Sequence, residues 1–358
     1  MIKLLVVDDS ALIRKVLNDA VKSDKDINVV GLAKDGIECL NMIETLKPDV
    51  ITLDVEMPRL DGIGVLKELN RRNIQIPVVM ISTLTIEGGE KTLEALELGA
   101  VDFLPKPENF FSMGQEAQKR EIISKIKTAY KARTYVRRSP YNKPIITEKK
   151  LTKPIQVADT KLRATGGKFK NLILIGSSTG GPKALQSVIP KFNRDINASI
   201  VVVQHMPPKF TKSLADRLNG ISQVSVKEAE EGDILCKGCA YIAPGDFHLN
   251  VKKESDKLVV RLNKEEPWLG LRPTVDQMFE SVVDLTGYNK VAVILTGMGS
   301  DGTKGLKTLK PKGCKVIVQD EATSVVYGMP KAVIQANLQD DIVPLEEVVS
   351  KVSKYLEV

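Results

Sequence analysis

No stretch of this 358-residue sequence approaches the roughly 20 consecutive apolar residues that a membrane-spanning helix needs, and runs such as 172–175 and 199–203 stop after a few positions. The opening MIKLLVVDDS puts two aspartates directly after the short run 2–7, which leaves no room for the apolar core and cleavage site of a signal peptide. The expectation is a protein that stays in the cytoplasm. Cysteine is scarce: Cys39, Cys236, Cys239 and Cys314 are too few and too scattered for a disulfide framework, so reduced thiols are expected. Histidine is scarcer. His205 and His248 are the only two, so any reaction that uses imidazole as its base must choose between them.

What is present is ordinary globular material. Hydrophobic residues make up 42% and charged residues 27%, which excludes a disordered or collagen-like chain, and the length suits two domains with a core each. The net charge of +7 is local: residues 111–168 carry 15 basic against 4 acidic groups, whereas residues 1–110 carry 13 against 19 and residues 169–358 carry 24 against 22. The basic excess therefore lies between the folded parts. It has neither aromatic interleaving nor amphipathic period, and a solvated tether is the expectation rather than a nucleic-acid or membrane surface.

Apolar runs at 2–7, 29–33, 50–53, 77–81 and 101–104 alternate with stretches of helical period, the last of them starting near Ser112. Five strands alternating with five helices argue for a parallel sheet covered on both faces, because parallel strands need crossovers. A second series follows at 171–175, 199–203, 291–295 and 314–318, with an inner section, 224–262, whose short runs and turn residues predict hairpins. The fold class is α/β in both halves. The expected boundaries are residues 1–133 for the first domain, 134–168 for a basic linker and 169–358 for the second domain, which gains an antiparallel edge. No internal repeat links them.

In a parallel sheet, ligands gather beyond the carboxyl ends of the strands. In the first domain Asp8 and Asp9 follow the first strand, Asp54 the third, Ser82 the fourth and Lys106 the fifth. Three crowded carboxylates suit a hard divalent cation such as Mg²⁺. Phosphoryl transfer to an aspartate needs that metal together with a lysine and a hydroxyl, roles that Asp54, Lys106 and Ser82 fill. The residues VDDS, DVEMPRLDG and ALELGAVDFLPKP resemble a response-regulator receiver domain over about residues 1–130. That resemblance implies a flavodoxin-like (βα)5 fold, phosphorylation of Asp54 by a histidine kinase, Mg²⁺ on Asp8, Asp9 and Asp54, and switching through Ser82 and Phe103.

The second domain opens with a strand followed by Gly176-Ser177-Ser178-Thr179-Gly180-Gly181-Pro182, which matches G-x-S-x-G at a strand-to-helix turn and selects Ser178 by spacing. Glycines permit the sharp turn, and amides at the helix start could face an oxyanion. His205 ends the strand 199–203 and so falls at the same sheet edge as Ser178, whereas His248 lies in the hairpin-like section. A carboxylate must orient the imidazole. Asp301, after the strand 291–295, lies at that edge too, with Asp276 as its rival. The order Ser, His, Asp differs from that of α/β-hydrolases.

IGSSTGGP, QHMPPKFTKSLADRL, YIAPGDFHL, LRPTVD, ILTGMGSDG and VYGMP resemble the chemotaxis protein-glutamate methylesterase family, CheB, from residue 171 to near the C-terminus. With the receiver in front, the resemblance is full length. It implies a Rossmann-like catalytic domain that hydrolyses glutamyl methyl esters on chemoreceptors and deamidates particular receptor glutamines, with no cofactor for the ester chemistry. It carries over Ser178 as nucleophile, His205 as base, Asp301 as orienter and the backbone N–H of Met298 as an oxyanion donor. Ser177 departs from the alanine expected at its position. The competing readings are a DNA-binding regulator, for which the second domain has the wrong size and pattern, and a non-catalytic module in which Ser178 binds rather than attacks. Cys236-Lys-Gly-Cys239 has the spacing of half a zinc site, but the other ligands lack motif spacing, and buried thiols are expected.

Overall fold

The computed structural model describes residues 1–106, 115–138, 169–268 and 270–356. The chain forms two compact units, residues 1–141 and 142–358. Among the described residues no helix is long and apolar enough to cross a membrane.

The first unit runs β1 (Ile2–Val7), α1 (Ala11–Val21), β2 (Ile27–Ala33), α2 (Gly36–Leu46), β3 (Val50–Asp54), α3 (Gly62–Arg71), β4 (Val78–Ser82), α4 (Ile86–Glu97), β5 (Asp102–Pro105), α5 (Gln115–Lys131) and α6 (Arg133–Arg138). Each of the first four helices starts on a polar side chain that accepts a backbone N–H: Ser10 from Ile13, Asp35 from Ile37 and Glu38, Asp61 from Gly64, and Thr85 from Gly88. These caps end the loops that leave the strands' carboxyl ends, so they set where the helices turn back. The strands pair in parallel in the order β2-β1-β3-β4-β5. The order reverses between β1 and β3, and both lead to the acidic residues.

The helix expected to start near Ser112 includes Gln115–Lys131, and residues 112–114 lie outside the described ones. The expected linker begins differently. Helix α6 takes in Thr134 to Arg138, held by a bond from the Val136 amide to the Ala132 carbonyl and by burial of Val136. The remaining linker span, 139–168, lies outside the described residues.

The second unit runs β6 (Asn171–Ser177), α7 (Gly181–Val188), β7 (Ala198–Gln204), α8 (Phe210–Ile221), β8 (Ser225–Glu228), β9 (Cys239–Ile242), β10 (His248–Glu254), β11 (Lys257–Asn263), α9 (Val275–Ser281), β12 (Asn289–Ile294), α10 (Thr303–Leu309), β13 (Lys315–Gln319), α11 (Met329–Gln335), β14 (Asp341–Val343) and α12 (Val348–Leu356). Strands β6 and β7 are buried at every position, as a sheet covered on both faces requires. The order is β14-β13-β12-β6-β7-β9-β8, so the chain starts at the centre and builds outward on both sides.

All seven of these strands are parallel, so the antiparallel edge expected from the sequence is not an edge of this sheet. The antiparallel pair is a separate hairpin, β10–β11. Its position has a physical reason. The connection between β8 and β9 contains no helix, and its backbone pairs with β11 instead, through Leu235 N–H to Leu258 C=O at 2.9 Å and Val260 N–H to Asp233 C=O at 2.8 Å. Leu249, Val251, Leu258 and Val260 of the hairpin join the core with Leu235, Val275 and Phe279, so the hairpin covers sheet surface that a crossover helix would cover elsewhere.

Candidate active site

Three loops at the carboxyl edge of the second sheet carry Ser178, His205 and Asp301: those after β6, β7 and β12, at the point where the strand order diverges. Gly180, with φ of 78°, lets the chain turn sharply from β6 into α7 after Ser178, in a backbone conformation a side chain would strain. The nucleophile turn is tied to the β12 loop, because the Ser178 N–H donates to the Thr296 carbonyl at 3.1 Å and the Thr296 hydroxyl donates to the Thr179 carbonyl at 3.0 Å. Close approach explains Gly297: a Cβ there would stand 2.8 Å from the Ser178 Cβ. Met298 follows Gly297 directly in the chain.

His205 Nε2 is 2.7 Å from Asp301 Oδ2, and this leaves Nδ1 as the ring nitrogen for the serine. Asp301 does more than face the histidine. Its two oxygens accept the N–H groups of Val275 at 2.7 Å, Asp276 at 3.0 Å and Gly302 at 2.9 Å. The first two are the opening amides of α9. Thr274, at the cap position, makes no capping bond, so Asp301 caps that helix from a distant loop. Burial by itself would raise the Asp301 pKa, but the hydrogen bond and charge of His205 and the α9 amides outweigh it and hold the carboxylate below its usual range.

Asp276, the rival acid, turns to Gly305 N–H at 2.7 Å. Burial, and then the negative charge of Asp301, push its pKa up to about 6. The two acids therefore pull stability in opposite directions. Asp301 contributes above the ordinary carboxylate pKa near 4 and loses that contribution as pH falls through its lower folded value. Asp276 binds its proton more tightly when folded, so stability declines as pH rises from about 4 to about 6. Asp276→Asn, which keeps an acceptor for Gly305, is expected to unfold later than wild type at pH 7 by about 2 kcal/mol and to match it near pH 4. Urea midpoints at the two pH values check this, and parallel midpoints for both proteins would contradict it.

His248 is fully buried at the start of β10, with Nδ1 3.2 Å from the Thr274 hydroxyl. Burial lowers its pKa, and no hydrogen bond joins it to Ser178. Ser177 is also buried, and its hydroxyl donates to Gln204 Oε1 at 2.7 Å, whereas Ser178 is half-exposed. The four cysteines are free and buried.

In the first unit the residues singled out at the strand ends converge. Lys106 Nζ lies 2.6 Å from Asp54 Oδ2 and 3.5 Å from Asp8 Oδ2. Burial pushes Asp54 up to about 6 against the hydrogen bond from Lys106, and burial likewise raises Asp8. Burial would lower Lys106, but its bond to Asp54 and the acidic charges around it raise it instead. Asp8, Asp9 and Asp54 each offer an oxygen within 4.8 Å of the others, and the buried Asp8 Oδ2 accepts no hydrogen bond. A buried carboxylate oxygen whose nearest cation is the Lys106 ammonium, in an all-oxygen donor set, fits a hard divalent cation. Ser82 donates to the Gly88 carbonyl of α4 at 3.2 Å, and Phe103 is buried with Lys125 Nζ 5.2 Å from its ring centre.

The model of the CheB methylesterase family matches residues 173–352, and that of the response regulator receiver domain matches residues 4–117. The chain belongs to the CheB methylesterase family. A protein-glutamate methylesterase/protein-glutamine glutaminase of Pyrococcus horikoshii is 44% identical across 100% of this chain and 94% of its own length. That of Bacillus subtilis is 43% identical, over 99% of this chain and 98% of its own. The crystal structure of the Thermotoga maritima CheB methylesterase catalytic domain superposes with a TM-score of 0.50 at 45% identity, covering 52% of this chain and 98% of that one. This CheB chain thus pairs a receiver domain with a methylesterase domain. Two buried glutamines escaped sequence reasoning: Gln204, and Gln319, whose Oε1 accepts the Thr296 N–H at 2.7 Å. Their only signal was a polar residue ending an otherwise apolar strand.

Proposed function

We propose that this chain is a phosphorylation-regulated protein-glutamate methylesterase in which Ser178 is the nucleophile, His205 the base and Asp301 the residue that orients it. The observation that carries the reading is the 2.7 Å His205–Asp301 bond at the sheet edge where Ser178 leaves β6. His205 Nδ1 takes the proton of the Ser178 hydroxyl as its oxygen attacks the side-chain ester carbonyl of a glutamyl methyl ester on a chemoreceptor. The Met298 N–H faces the oxyanion. Collapse of the tetrahedral intermediate releases methanol, protonated by the imidazolium, and leaves an acyl-serine. Water, deprotonated by His205, then frees the glutamate. With a glutamine side chain the same steps release ammonia, the deamidase reaction. Asp301, held ionised, stabilises the imidazolium in between.

In the receiver, Asp54 accepts a phosphoryl group from a histidine kinase, with Lys106 and the Ser82 hydroxyl turning to the phosphoryl oxygens and Phe103 completing the switch. Asp8, Asp9 and Asp54 would hold Mg²⁺, which would supply positive charge to offset that of the phosphoryl oxygens. The reaction belongs in the cytoplasm, in keeping with four free thiols.

The test is methanol release from methylated chemoreceptor, with a small acyl phosphate and Mg²⁺ as phosphodonor. Phosphodonor is expected to raise the wild-type rate about tenfold or more, a shift of roughly 1.4 kcal/mol in the regulatory equilibrium. Asp54→Asn and wild type in EDTA should both stay at the unstimulated rate. A folded, phosphorylated wild type that releases no methanol would sink the esterase reading and leave a binding module.

A further inference from the structure

Strands β6 and β7 run side by side with Ser177 opposite Gln204, and the catalytic residues follow each of them by one position. Gln204 is 1% exposed. Its Nε2 donates to two carbonyl oxygens, that of Ser178 at 2.9 Å and that of His205 at 3.2 Å. Its Oε1 accepts the Ser177 hydroxyl at 2.7 Å, and the His205 N–H donates back to the Ser177 carbonyl at 3.1 Å. One side-chain amide therefore bridges the backbones of the nucleophile and the base.

The chemistry allows a single orientation. A flipped amide would set its oxygen against two carbonyl oxygens, and the Ser177 hydroxyl gives the Gln204 oxygen a donor where it lies. Glycine at 181 leaves room for the amide, since a Cβ there would stand 1.9 Å from Gln204 Oε1. Thr296 pins the nucleophile turn from its other side. The turn is thus held between two neighbouring strands.

We propose that Gln204 is a positioning residue of the esterase: its amide fixes the separation of Ser178 and His205, and the Ser177 hydroxyl locks the amide in the orientation that does so. This rests on the assignment of Ser178 as nucleophile and His205 as base. Small errors in such a separation are costly, because a displacement of about 1 Å at a reacting pair lowers rates about a hundredfold.

The full-length chain is compared as wild type, Gln204→Met, Ser177→Ala, the double variant and Ser178→Ala. Methionine keeps the length of glutamine without its donors. Three readouts are taken: kcat and KM for methanol release, the second-order rate of Ser178 labelling by a fluorophosphonate, and near-ultraviolet circular dichroism for the folded fraction. Gln204→Met is expected to lower kcat and labelling about a hundredfold per folded molecule with KM within about twofold. Ser177→Ala should lower both about threefold, and the double variant should be no slower than Gln204→Met, because the hydroxyl acts through the amide. Folded Gln204→Met at the wild-type kcat, or multiplicative losses in the double variant, would overturn the proposal while an inactive Ser178→Ala kept the nucleophile assignment intact. Should Gln204→Met fail to fold, Ser177→Ala decides: a wild-type labelling rate overturns the proposal, and a severalfold loss at constant KM supports it. Methanol release by Ser178→Ala would instead remove the nucleophile assignment and the positioning role with it.

Discussion

Ser178→Ala is expected to lose methanol release by at least about four orders of magnitude and to keep its fold. The loss is this large because the first chemical step passes through one oxygen. On the proposed roles, His205 is then left with no group to activate against the ester, and no oxyanion forms for the Met298 amide to meet. Stability should barely move. Ser178 is half-exposed, and the bonds that hold its turn run through backbone groups, to Thr296 and from Gln204, which alanine retains. The expected change in unfolding free energy is within about 1 kcal/mol. Ammonia release from receptor glutamines should fall in parallel, since both reactions share the acyl-serine. A variant that loses one activity and keeps the other would require a second nucleophile and refute the common mechanism.

Asp301→Asn should lose activity about as severely and, unlike Ser178→Ala, should also lose stability. The carboxylate accepts from four donors: His205 Nε2, the N–H groups of Val275 and Asp276, and that of Gly302. An asparagine placed there points its NH₂ at at least one of these donors whichever way it turns. If it faces Nε2, the imidazole must change tautomer and turns an unsuitable nitrogen to the serine, and a fall in kcat of about 10³- to 10⁴-fold is expected. In either orientation one of the two α9 amides loses its acceptor, Val275 if the NH₂ takes the place of Oδ2 beside Nε2 and Asp276 if it takes that of Oδ1, so the buried helix cap weakens at a cost of about 2–4 kcal/mol. Methanol release and urea unfolding measured on the same preparation separate the two roles. Wild-type stability in this variant would show that α9 does not depend on Asp301.

Much of this arrangement was legible beforehand for a physical reason. Parallel strands put all their carboxyl ends on one edge, so Asp8, Asp54 and Lys106 in one domain, and Ser178, His205 and Asp301 in the other, could be grouped by counting strands. The scarcity of histidine then did the work of elimination. What remained hidden depends on side-chain direction. Asp276 and Asp301 stand alike in sequence, and only the route of each carboxylate, to Gly305 or to His205, tells them apart. Gln204 reads as an ordinary strand end until its register against Ser177 is known. The segment 224–262 looked like hairpins throughout because short strands and turns carry the same local signals whether they pair with each other or with a distant sheet. Only β10 and β11 form a hairpin, whereas β8 and β9 pair in parallel within the large sheet.

The order in which the second sheet is laid down along the chain sets when the enzyme becomes competent. Strands β6 and β7 are near neighbours in sequence, so Ser178, His205 and the Gln204 bridge can come together early. Asp301, Thr296 and Gly297 arrive only when β12 pairs with β6, joining Asn289 to Asn171 across more than a hundred intervening positions. Contacts at such separation carry the largest loop-closure cost and form late. A nascent chain released or stalled before that pairing holds a serine and a histidine without the acid that makes them work. On the proposed roles, full methylesterase activity is therefore expected only once β12 has paired with β6.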